Sequence, residues 1–150
     1  MRAMIHKTIM TTALGTLLAG VSMAQAAPVL PPVHTSGDVQ YLSGGIGKGE
    51  AHAIERASKH WPLMLEFAVK DRKRADFTAD VKVVVHGSKG QAVLDTTAGG
   101  PLLLAKLAPG HYDVDATVAG KTLHESVLVK HGQPAKAVFV WPAGTGESRS

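Results

Sequence analysis

From Leu63 onward, apolar side chains recur at every second position, in short runs separated by residues that turn a chain. Leu63, Leu65, Phe67 and Val69 alternate with Met64, Glu66 and Ala68. Val81, Val83 and Val85 alternate with Lys82, Val84 and His86. The clearest run sets Tyr112, Val114, Ala116 and Val118 against Asp113, Asp115 and Thr117. Successive side chains of an extended strand point to opposite sides, so this spacing gives each run one apolar face. Runs at 91–97, 102–107, 122–130 and 135–141 complete a set of seven. Gly87-Ser88-Lys89-Gly90, Gly99-Gly100-Pro101, Gly120-Lys121 and His131-Gly132-Gln133-Pro134 supply the turns. Short alternating strands at regular intervals predict a mainly β fold, a seven-stranded antiparallel sandwich over 62–142, with the two apolar faces burying each other.

One segment before the strands keeps a different period. In 50–61, Ala53, Ile54, Ala57 and Trp61 share a helical face, with Glu50, Glu55, Arg56 and Lys59 mostly off it. A short helix over 48–61 follows, ended by Pro62, which disfavours helical backbone in the residue before it. Gly44, Gly45 and Gly47 precede the helix as a turn, at the end of an extended leader spanning 27–47. The tail at 143–150 is small and polar, and a flexible end is expected there.

The first 26 residues read as an address rather than structure. Arg2 and Lys7 form a positive start, an uncharged apolar stretch follows, and Ala24-Gln25-Ala26 is a small-x-small cleavage signal before Ala27. This is the pattern of a secretory signal peptide, which places the mature chain in the periplasm or outside the cell. Cleavage takes two of the 16 basic residues and none of the 12 acidic ones, leaving a mildly charged chain. Nucleic acid is therefore a poor partner, and no membrane span is expected in the mature chain. The chain has no Cys, which excludes disulfides, thiolate metal sites and a Cys nucleophile.

Leu107-x-Pro109-Gly110-x-Tyr112-x-Val114 followed by the Gly120-Lys121 turn carries a family likeness. With Val81, Val83, Val85, Gly90 and Asp95 upstream, it resembles the carboxypeptidase regulatory-like domain, a transthyretin-like (prealbumin-like) β-sandwich, over about 63–141. The resemblance implies an accessory domain without zinc carboxypeptidase chemistry. It says little about function, because the fold hosts many roles. Transthyretin-like hydrolases of hydroxyisourate end in Tyr-Arg-Gly-Ser, whereas this chain ends Glu147-Ser148-Arg149-Ser150. That activity is the least supported.

Other chemistry is sparse. Seven His follow the leader: His34, His52, His60, His86, His111, His124 and His131. Imidazole suits Cu, Zn and Ni. His111 and Asp113, at i and i+2 on one strand face with Asp115 beyond, are the best local ligand set, and solvated polar-face residues are the plainer reading. His52 and His60 are two helical turns apart, too far to share one ion. Gly45-Ile46-Gly47-Lys48-Gly49 lacks the spacing and the Ser/Thr of a phosphate loop, though an anion could rest on the helix N-terminus. Gly-x-Ser-x-Gly is absent. Lys70-Asp71-Arg72-Lys73-Arg74 reads as a solvated loop that could also meet an acidic partner. No cofactor is expected apart from a possible transition metal. The sequence leads to an exported, non-enzymatic β-sandwich module with a protein or cell-envelope partner, the alternative being a His-based metal-binding protein.

Overall fold

The computed structural model describes residues 20, 29–70, 75–77 and 80–146. The leader and its cleavage signal (Ala24, Ala26, Ala27), residues 71–74 of the basic cluster, and the last four residues lie outside these.

The described residues form a two-sheet β-sandwich with one α-helix among them. In order, the elements are β1 (His34–Ser36), β2 (Val39–Gly44), α1 (Lys48–Ala57), β3 (Leu63–Lys70), β4 (Ala75–Phe77), β5 (Val81–His86), β6 (Ala92–Ala98), β7 (Leu102–Ala105), β8 (Gly110–Val118), β9 (Lys121–Val129) and β10 (Ala135–Trp141). One sheet runs β1-β2-β7-β3-β10, with β4 also paired to β3; the other runs β6-β5-β8-β9.

The interior between the sheets is built from the alternate side chains read above. Leu63, Leu65 and Phe67 of β3 and Phe139 and Trp141 of β10 meet Val81, Val83 and Val85 of β5 and Val114 and Ala116 of β8. Phe67, Phe139 and Trp141 form an aromatic cluster with ring centroids 5.8–6.3 Å apart. The Trp141 indole Nε1 donates to the Lys121 carbonyl at 2.9 Å, so the buried ring keeps its polar atom satisfied.

A second core lies on the outer face of the larger sheet. There Ile54 of α1, and Trp61 four residues past the end of that helix, pack over Leu42, Met64, Leu102 and Leu104. Strand β7 is thus buried on both faces, which accounts for its unbroken Leu102-Leu103-Leu104-Ala105 run. The smaller sheet leaves one face to solvent, so β5 alternates between buried and partly or fully exposed positions.

Three strands, β1, β2 and β4, add to the seven read from the sequence. β1 and β2 fall inside 27–47, where the sequence predicts only an extended leader, and β2 is tied into the sheet by β7. The antiparallel expectation meets one exception: β3 and β10 pair in parallel, Leu63 opposite Ala135 through Val69 opposite Trp141. A parallel pair needs a long crossover, and here everything from β4 to β9 supplies it. The start of the tail is also ordered. Residues 143–146 form a turn in which Thr145 is buried and donates from its backbone and its hydroxyl to the Pro142 carbonyl.

Local signals explain the ends of the elements. After α1 a 3-10 turn (Ser58–His60) leads to Trp61, whose φ of −113° and ψ of 137° are the extended backbone that Pro62 demands. The β8–β9 turn is centred on Ala119 and Gly120, at φ 48° and 77°, one residue before the Gly120-Lys121 reading; two positive φ values match the twist of a tight hairpin. At the Leu107–Val114 motif, the Tyr112 hydroxyl donates to the Ala108 carbonyl at 2.6 Å and staples the Pro109-Gly110 turn to its own strand. Partial burial raises the Tyr112 phenol above its ordinary 10.0. A raised phenol favours the folded state while it stays neutral. That stabilisation is therefore present below about pH 10 and is lost as the pH climbs through the folded-state value. Tyr112→Phe should cost about 1 kcal/mol at neutral pH and should flatten the alkaline fall in stability, measured by urea unfolding at pH 7 and at about pH 10.5.

Candidate functional site

The Gly-rich turn serves the fold. Gly45, at φ 95°, donates its N–H to Glu50 Oε1 at 2.7 Å. Gly47 stands before the helix, its carbonyl accepting from Ala51 at 2.9 Å. Glu50, in the first turn of α1, turns its carboxylate back to this Gly45 N–H, so the helix start carries a negative group of its own.

The seven His residues scatter over the surface. His34 stacks obliquely with Tyr41, ring centroids 5.6 Å apart, and His52 lies 3.5 Å from Glu55 one turn along α1. On the solvent face of the smaller sheet, His111 lies opposite Leu128 on β9, and Asp113 accepts from the Ser126 hydroxyl at 2.6 Å. His111 and Asp113 belong to no group of three His, Asp or Glu side chains that could hold a metal ion among the described residues. Asp115 is the better connected acid. His86 Nε2 approaches its Oδ2 at 3.3 Å, and His124 Nδ1 pairs with its Oδ1. The two imidazoles come from β5 and β9, on opposite sides of β8, and bridge three strands through one carboxylate. Among the described residues, no three His, Asp or Glu side chains converge as a metal site requires.

A cavity lies elsewhere, at one end of the sandwich. A cleft of about 400 Å³ opens between the 3-10 turn after α1, the β7–β8 loop and the β9–β10 turn. Its floor contains Trp61, Leu107 and Val129, all buried. Its rim is basic: Lys59 and His60 on one wall, Lys130 and His131 on another, all exposed. Among the described residues lining it, none is Asp, Glu or Arg.

The walls are preset by the sequence. Pro62, Pro109 and Pro134 line the cleft, and each fixes its own φ. The Ala135 N–H donates to the Pro62 carbonyl at 2.8 Å and ties the β10 side to the helix side. Gly132, at φ 70°, turns the chain so that Lys130 bridges to Gln133. Behind the floor, the Lys106 ammonium sits 5.0 Å from the Trp61 ring centroid in a cation–π contact.

The sequence did hold a signal for this cleft. Lys59-His60 is followed two residues on by a proline, and Lys130-His131 three residues on. The repeated basic pair beside a stiff residue becomes a site only when the fold sets 59–61 against 129–134.

No protein-family model matches this chain, and no curated protein matches it. Among the described residues, no helix is long and apolar enough to cross a membrane.

Proposed function

We propose that this chain is an exported, non-enzymatic binding module, working in the periplasm or outside the cell, whose ligand seats in the cleft at the end of the sandwich. The observation that carries this is the cleft itself: concave, floored by buried apolar side chains, and walled by three prolines that leave little to order on binding. Export rests on the leader, Arg2 to Ala26. The Leu107–Val114 motif adds support, since it resembles that of carboxypeptidase regulatory-like domains, which accompany a function rather than perform the chemistry. A transition-metal role is less supported, because the imidazoles at Asp115 approach from opposite flanks.

Two measurements test the reading. N-terminal sequencing of the protein recovered from periplasm should begin at Ala27; recovery of the intact Met1 form from cytoplasm alone contradicts export. A thermal-shift panel of carboxylates, phosphates, sulfonates, oligosaccharides, uncharged aromatics and Cu(II), Zn(II) and Ni(II) should give a rise in melting temperature with at least one organic member and none with the metals. The binding member should be recovered chemically unchanged. Conversion of a panel member, or a rise with metals alone, overturns the reading.

A further inference from the structure

We infer that the ligand of this cleft is a small organic anion with an apolar body; the inference rests on the binding-module reading and specifies its ligand class. Two opposed features of the walls require both parts. Trp61, Leu107 and Val129 offer an apolar floor. Lys59 and Lys130 offer cations at the mouth, with His60 and His131 beside them and no carboxylate among the described lining residues. Exposed ammonium groups with no carboxylate beside them among the described residues attract a counter-charge, and low-dielectric walls focus that field inward. A simple inorganic anion would leave the floor wet, and an uncharged apolar molecule would leave the cations unpaired.

The other exposed features of the described surface are poorer in these respects. At the Asp115 cluster the carboxylate is already engaged by two imidazoles, one on each oxygen. The outward Val138 and Val140 of β10 form a flat apolar patch without a cavity. Lys136 beside them is already paired with Glu66 at 2.9 Å. In the cleft, by contrast, the basic groups come from two separate turns and face one volume of about 400 Å³, within the size of ordinary small-molecule pockets.

A matched pair of dyes separates the two parts. 8-Anilinonaphthalene-1-sulfonate and N-phenyl-1-naphthylamine share one aromatic framework and differ by the sulfonate. Titrated against the folded full chain, the sulfonate should bind about tenfold or more tighter than the uncharged dye, and its binding should weaken as salt rises from about 0.05 to 0.5 M. The double variant Lys59→Glu/Lys130→Glu should lose about tenfold in sulfonate affinity, with little change for the uncharged dye. Lys82→Glu, an exposed reversal on the far strand β5, should leave both affinities as they are. Far-UV circular dichroism confirms that each variant is folded, since every substituted Lys is exposed. Equal affinity for the two dyes, unmoved by the double variant, overturns the anion assignment while leaving a binding cleft in place. If neither dye binds, and no panel member raises the melting temperature, the binding-module reading falls with it.

Discussion

Trp141→Ala is expected to cost about 4 kcal/mol and to lower the melting temperature by roughly 10 °C or more. Trp141 is the largest fully buried side chain and sits at 0% exposure on the last strand. Its ring packs against Phe67 and Phe139 in the interior shared by the two sheets. Truncation removes that contact area and leaves a cavity that stiff neighbouring strands cannot close. It also orphans the Lys121 carbonyl, at the start of the opposite sheet's edge strand, of its indole donor. The larger share of the loss is apolar, and Trp141→Phe separates the two: it keeps most of the ring and loses the hydrogen bond, at about 1–2 kcal/mol. Urea unfolding of both variants measures this. A loss below about 1.5 kcal/mol for the alanine variant would mean that β10 is not seated between the layers.

Gly100→Ala should destabilise by about 2–4 kcal/mol, although it adds a single methyl group. A Cβ at Gly100 would fall inside the van der Waals shell of the Gly44 carbonyl oxygen, a backbone atom of β2 that no rotamer change can move. Gly44 is held in turn by its pairing with Leu102 on β7 and by Glu50 beneath it. Relief would shift the β2–β7 pairing and the helix start together. Gly132→Ala provides the contrast, since open space surrounds that position and the cost there is the positive φ alone, about 1 kcal/mol. Equal stabilities for the two variants, read from thermal melts, would contradict the close approach.

How much of this was legible beforehand depended on which faces each element buries. β5 and β8 could be read because one face meets solvent, so polar residues mark every second position. β2 hid in what looked like leader and turn, because Leu42 on its outer side is buried beneath α1 and the strand ends in Gly44, with Gly45 next. Met64 looked like a solvent-facing member of β3 and lies instead in the core beneath the helix. The parallel pairing of β3 with β10 left no local trace, since register between strands some 70 residues apart is set by the whole stacking of layers.

The site followed the same logic. His111 and Asp113 share a face at i and i+2, which the spacing along one strand does show. Contacts across strands decide more: Asp115 gathers His86 and His124 from neighbours distant in sequence. The cleft was harder still, being assembled from three segments whose nearness is a product of the fold.

The most direct test of the binding cleft is to map where the sulfonate dye sits, by following backbone amide shifts in nitrogen-15 spectra during titration. The largest movements should fall at residues 59–61 and 130–133, together with the Trp61 indole. Movements concentrated on the outer face of β10, around Val138 and Val140 at 45% and 46% exposure, or on the Asp115 face of the smaller sheet, would contradict it.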